Sequence, residues 1–210
     1  MVIAEMHQYF RVLCQKMGMQ LVNVILPEEI DVFLNLSIIE KVRAILNENS
    51  TSVFQDKVTL RDNPISVVNS LRNLYHEDVL KEVDNNTFNL SSIDAMDYIS
   101  FAIVYNDKVY KCRLIVPEKL EDTLNDYCNG ASIDYPICSI FNYDGRYVCQ
   151  TYGNNKEHML KVKYIKYPNK VSFKGDVSCD LLEQYHGEIV QQAVNKYFVS
   201  NGLSNQINNK

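Results

Sequence analysis

The stretch DVSCDLLEQYHGEIVQQAVNKYF, residues 176–198, gathers Cys179, His186 and the carboxylates Glu183 and Glu188 within a few turns of predicted helix. These are the residue types of a thiol hydrolase or a metal centre. A cysteine nucleophile needs its histidine base at about 3 Å. A helix that starts at Asp180 carries His186 about 9 Å further along its axis at 1.5 Å per residue. The two therefore do not pair within this segment. Glu183 and Glu188 are five residues apart and point in different directions, so they do not form a general acid and base. His76, Glu77 and Asp78 fall in a predicted helix, where adjacent residues do not face each other. The expectation is that Cys179 is a small apolar residue at a helix entrance. His186 then lies beside a packed face of Leu182, Tyr185, Ile189 and Ala193, widened by Val190 and Tyr197.

No C-x-x-C pair, phosphate-cradling glycine loop, G-x-S-x-G or H-E-x-x-H motif occurs in the sequence. The six cysteines (Cys14, Cys112, Cys128, Cys138, Cys149 and Cys179) and four histidines are scattered, whereas zinc ligands come in close pairs. The expectation is a protein with no catalysis and no metal.

The elements that must position these residues are helices first, then strands, then a helix. Of the 210 residues, 46% are hydrophobic, enough for a real core. The net charge of −5 argues against a nucleic-acid coat acting through bulk charge. Glu5 and His7 interrupt the apolar run a secretory leader would need, so the cysteines are expected to be reduced. No apolar run approaches the length of a membrane span.

A first helix spans Ile3–Met17, with Met6, Tyr9, Phe10, Leu13, Cys14 and Met17 at helical spacing and Gly18 ending it. A second begins at Pro27, with Glu28, Glu29 and Asp31 in its first turn. Its apolar residues run around most of the circumference. Ile30, Phe33, Leu34, Ile38 and Ile45 read as one side, facing the chain's own core. Leu36, Ile39, Val42 and Leu46 read as a row left for a neighbouring subunit, the alternative being that the third or the final helix of the same chain covers it. A third helix is expected over PISVVNSLRNLYHEDVLKEV, with Val67, Leu71, Leu74 and either Tyr75 or Val79 facing inward.

From Tyr98 the period shortens to that of strands. Asn106-Asp107 and Asp144-Gly145 are hairpin turns. Pro117 opens a short helix, HMLKVKYIKYP is a strand ended by Pro168, and Asp180 caps the last helix with Glu183 three residues on. The fold class is α+β: N-terminal helices over residues 1–97, antiparallel hairpins with one short helix over 98–175, and a C-terminal packing helix with a polar tail over 176–210.

Two further surfaces are candidates. Lys161, Lys163, Lys166, Lys170 and Lys174 crowd one stretch with Glu157 as the only acid. This is either a solvated strand face that discourages edge pairing or a basic patch for an acidic partner or phosphate backbone. Tyr143, Arg146 and Tyr147 flank the Asp-Gly turn, and tyrosine and arginine are enriched at interfaces.

LPEEIDVFLNLSIIEKVRAIL and YPNKVSFKGDVSCDLLEQYHGEIVQQAVNKYF resemble structural proteins of tailed phages of the crAss-like group, which infect Bacteroidetes. Pro27, Glu28, Glu29, Ile30, Asp31, Phe33, Leu34 and Asn35 match the first family stretch. Pro168, Val171, Asp176, Cys179, Asp180, Leu181, Glu183, His186, Ile189, Val190, Ala193 and Val194 match the second. The closing helix is also similar to that of head–tail adaptor proteins in short-tailed phages. Leu182 departs from the pattern, which has proline there, and so does Gly187, which weakens a helix interior by about 1 kcal/mol.

The resemblance implies a virion protein of the portal-proximal neck or tail, assembled in the host bacterial cytoplasm. It implies a homo-oligomeric ring, usually of twelve copies, that joins head to tail around the DNA exit channel. Its partners would be the portal protein and neighbouring ring proteins, with genomic DNA passing through without sequence-specific contact and no membrane. The alternative is a non-ring phage binding protein, such as capsid cargo or a tail accessory factor.

Overall fold

A computed structural model describes residues 1–19, 24–48, 64–153 and 157–202. The elements in chain order are α1 (Ile3–Lys16), α2 (Pro27–Glu48), α3 (Pro64–Ser70), β1 (Tyr75–Lys81), β2 (Thr87–Asn89), β3 (Ala95–Tyr105), β4 (Lys108–Lys111), β5 (Arg113–Leu114), a 3-10 turn (Pro117–Lys119), α4 (Leu120–Asn125), β6 (Ile137–Tyr143), β7 (Arg146–Tyr152), β8 (Met159–Lys166) and α5 (Glu183–Ser200). The class is α+β. The described residues form two units: a helical one from Met1–Glu48, Val67–Leu74 and residues 167–202, and a β unit that includes Tyr75–Lys166.

In the helical unit, α5 packs along both α1 and α2. Tyr197 is the hub of this packing. Its ring meets Phe10 edge-on at 5.7 Å and Phe33 edge-on at 5.4 Å, centroid to centroid, geometries that aromatic quadrupoles favour. Ile189, Val190, Ala193, Val194 and Phe198 complete the buried face of α5, with His186 among them. Val67, Leu71 and Leu74 are buried as expected.

The division of α2 into two apolar sides is corrected. Val42 and Leu46 are buried within the chain, along with Ile30, Leu34, Ile38 and Ile45. The reason is periodicity: residues 30, 34, 38, 42 and 46 form one i, i+4 series and share a face. Val42 and Leu46 continue the core row. Ile39 is half-buried, and only Leu36, at 48% exposure, stands in solvent with Val32 on the turn before it.

The third helix is also corrected. It ends at Ser70, and Tyr75–Lys81 is a strand paired antiparallel with β8 from Tyr75↔Ile165 to Lys81↔Met159. Pairing supplies that segment with ladder partners, and the cross-strand context overrides its helical spacing. Residues 1–97 are thus not wholly helical, since they hold β1, β2 and the start of β3. The last helix starts at Glu183, with Leu182 in the cap position. Asp180 does not cap it, because its carboxylate is engaged elsewhere, as described below.

The β unit contains two four-stranded sheets, ordered β1-β8-β3-β4 and β2-β7-β6-β5. Among the described residues all pairings are antiparallel except β5 with β6. Phe88, Leu90, Phe101, Ile103, Cys112, Cys138, Cys149, Leu160, Val162 and Tyr164, drawn from both sheets, form one buried cluster. Both expected hairpins are present. Asn106 and Asp107 turn with φ of 49° and 59°, and Asp144 and Gly145 with 49° and 75°, the left-handed pair that a two-residue turn requires.

Candidate functional site

The second turn of α2 carries two polar side chains four residues apart, Asp31 and Asn35, on a helix otherwise rich in apolar residues. Their spacing puts them on one face, and both reach the loop that follows β8. The Asn35 carboxamide accepts from Val171 N at 2.8 Å and donates to Val171 O at 3.1 Å. The Asp31 carboxylate accepts from Phe173 N at 3.0 Å through Oδ2 and 3.2 Å through Oδ1. A turn earlier, Glu28 pairs with Lys174, and the ammonium holds that exposed carboxyl below the ordinary carboxylate range.

His7 of α1 closes the arrangement. Its Nε2 lies 2.8 Å from Asp31 Oδ1, and its ring stacks on Phe173 at 4.7 Å. Burial lowers the His7 pKa from 6.5, against the pull of the Asp31 carboxylate. The loop itself turns tightly: Ser172 and Val177 exchange backbone hydrogen bonds of 3.1 and 2.9 Å, and Asp176 takes a left-handed φ of 50°.

Asp180 is the second knot. Its Oδ2 accepts from Asn169 N at 2.9 Å, and its carbonyl accepts from Asn73 Nδ2 at 2.8 Å. His186 Nε2 lies 2.9 Å from the Leu181 carbonyl. Its Nδ1 is buried without a partner, so neither ring nitrogen bonds Cys179. Burial pushes the Cys179 thiol up to about 11, away from the thiolate a nucleophile needs. The arrangement fastens a loop to two helices.

The candidate surfaces divide as follows. Tyr143, Arg146 and Tyr147 sit together at the exposed β6–β7 tip, with Tyr143 at 72% and Tyr147 at 55% exposure. The arm is tied down by Leu90 N donating to Tyr147 O at 2.9 Å and Tyr147 N donating to Ser91 Oγ at 3.0 Å. The five lysines divide between the two units. Lys161 and Lys163 share a face of β8, where both pair with Glu77 of β1, at 2.5 and 3.5 Å. Lys166 ends β8 in the β unit, whereas Lys170 and Lys174 belong to the helical unit.

Sequence reasoning missed the clamp. The signal available was Asp31 and Asn35 at i, i+4 within an apolar stretch, which marks a helix face that must meet backbone.

No protein-family model matches the chain, and no curated protein matches it. Among the described residues no group of three or more His, Cys, Asp or Glu side chains is placed to hold a metal ion, and no helix is long and apolar enough to cross a membrane.

Proposed function

We propose that this chain is a structural virion protein of a tailed phage that forms a ring in the portal-proximal neck or tail and joins head to tail around the DNA exit channel. The reading rests on the resemblance to crAss-like phage structural proteins. One observation supports it: the two stretches that carry the resemblance, far apart in sequence, are hydrogen-bonded to each other through Asn35–Val171 and Asp31–Phe173. Most of the matching polar residues serve this fastening or the turn beside it, so the two stretches act as one structural element. In this reading the chain uses no cofactor and performs no catalysis. Its partners are further copies of itself, the portal protein and adjoining rings.

A second reading, a non-ring phage binding protein, draws on the burial of Val42 and Leu46, which removes half of the apolar row expected to form a subunit seam. Labelling the chain in purified virions and locating it by electron microscopy tests both. A ring at the portal-proximal neck or tail carries the first reading. Signal inside the capsid, or as isolated copies on the tail, carries the second and overturns the first.

A further inference from the structure

The sheet β1-β8-β3-β4 ends in two strands whose outer edges pair with no other strand among the described residues. Its hydrogen-bond phase is set beside the β3–β4 hairpin, where Cys112 N donates to Phe101 O at 2.9 Å. Antiparallel pairs alternate between bonded and non-bonded. On β4, Val109 and Lys111 therefore turn their N–H and C=O groups outward. Carried through the registers of β3, β8 and β1, the same alternation makes Glu77, Val79 and Lys81 the outward residues of β1. The sheet has an even number of strands, so the outward residues of both edges share one face. β4 runs antiparallel to β1, so the β4 edge of one copy meets the β1 edge of an identically oriented copy in antiparallel sense.

We infer that this sheet continues edge to edge into a second copy of the chain, with β4 of one copy pairing β1 of the next and Val109 opposite Val79. That register sets Lys111 opposite Glu77, an opposite-charge pair beside an apolar pair. Lys111 joins Lys161 and Lys163, which already share the Glu77 carboxylate within one chain. Val79 and Val109 are 51% and 58% exposed in the single chain. A slip of two residues either way sets Val109 against Glu77 or Lys81 and loses the Lys111–Glu77 pair. Edge lysines ordinarily discourage strand addition; here Lys111 meets a carboxylate, so the charge pair selects one register. The contact is head-to-tail, the kind that closes into a ring by rotation. It deepens the ring reading and rests on it for the use of a second copy. Four residues a side, Lys108–Lys111 against Glu77–Leu80, make a small contact, so a covalent trap is the suitable probe.

The test uses full-length chain carrying Cys128→Ser, which removes the exposed native thiol. Val79→Cys and Val109→Cys variants are mixed and mildly oxidised. The expected result is a disulfide-linked dimer in the mixture, background in either variant alone, and a ladder of multimers from the chain carrying both substitutions. Val83→Cys mixed with Val109→Cys is the out-of-register control, expected to stay at background. Absence of the 79–109 link, or equal linking of 83–109, overturns the edge pairing. Wild-type rings in the microscope without the link sink the edge pairing alone. A wild-type chain that is monomeric and located away from the neck and tail of the particle sinks the ring reading, while the link reports on the edges separately.

Discussion

The Asn35 carboxamide satisfies both backbone polar groups of Val171, accepting from its N–H and donating to its C=O. One side chain thus takes the place of a strand partner for a loop residue that is 2% exposed. Asn35→Ala leaves a buried donor and acceptor unmet, at about 1–3 kcal/mol for an unsatisfied buried group. The urea midpoint of the variant is expected to fall by that free energy divided by the slope m, with the slope itself unchanged. An unmoved midpoint would mean that water or a neighbouring group replaces the carboxamide.

His7 makes the same corner pH-sensitive. Its folded pKa lies below the ordinary 6.5 because burial outweighs the nearby Asp31 carboxylate. Below pH 6.5 the unfolded chain therefore binds more protons than the folded one. The contribution is complete above that pH and is lost as the pH falls through the window down to the folded pKa. Unfolding free energies measured from pH 7.5 to 5 are expected to decline on the acid side, with a shallower slope in His7→Gln. Identical slopes would remove His7 from the account.

Two glycines should respond in opposite directions. A Cβ at Gly187 meets nothing within 4 Å, so Gly187→Ala is expected to stabilise α5 by about 0.5–1 kcal/mol, the helix propensity difference. At Gly153 φ is +105° and a Cβ would come 2.5 Å from Ser132 O. Gly153→Ala is expected to lower the melting temperature, since both the backbone angle and the approach oppose it. A calorimetric scan of each variant decides both.

The corrected face of α2 separates folding from assembly. Val42 is fully buried, so Val42→Asp places an unpaired charge in the core and is expected to unfold the isolated chain, seen as loss of helical circular dichroism. Leu36 is 48% exposed, and Leu36→Asp is expected to leave the spectrum unchanged. Should Leu36→Asp chains fold yet fail to enter particles, the exposed strip of α2 is a subunit contact; normal incorporation would exclude it.

Thiol chemistry gives a further check. Cys128 is exposed, Cys179 is half-buried, and Cys14, Cys112, Cys138 and Cys149 are buried. Native protein is expected to show one fast-reacting thiol and denatured, unreduced protein six. Cys179→Ala is expected to cost at most about 1–2 kcal/mol in lost packing. Loss of a measurable hydrolytic activity in that variant would contradict its structural role.

The hairpins were legible because their turns need left-handed backbone, and Asn-Asp and Asp-Gly supply it locally. Helix α1 followed from spacing, as did Ile189, Val190, Ala193 and Tyr197 on α5, whereas Leu182 and Tyr185, read as part of that face, are only half-buried, and the buried Val194 and Phe198 were missed. The strand at Tyr75–Lys81 was not legible, because its partner β8 lies far along the chain and its own spacing fits a helix equally well. The same holds for Asp180, which resembles a cap in sequence but gives its carboxylate to Asn169. The pairing of Lys161 and Lys163 with Glu77 was hidden for a related reason: it depends on a strand pairing, and proximity in sequence says nothing of it. Interactions within a turn or a helix face were readable, and those set by distant pairing were not.

The helical unit is made of both ends of the chain, with Tyr75–Lys166 interposed. During synthesis, α1 and α2 emerge first, yet α5, which buries much of their apolar surface, is made last. At usual elongation rates the nascent chain exposes the Ile30–Leu34–Ile38–Val42 row for on the order of ten seconds before its partner leaves the ribosome. The β unit, whose strands are contiguous, can close in that interval. Its first and last strands, β1 and β8, are sheet neighbours. Closing the β unit therefore brings Leu74 and Tyr167 near each other and shortens the effective loop between α2 and α5. The late helix thus finds its place by docking onto a tether already drawn tight, and a fault in β1–β8 pairing would appear as aggregation of the N-terminal helices.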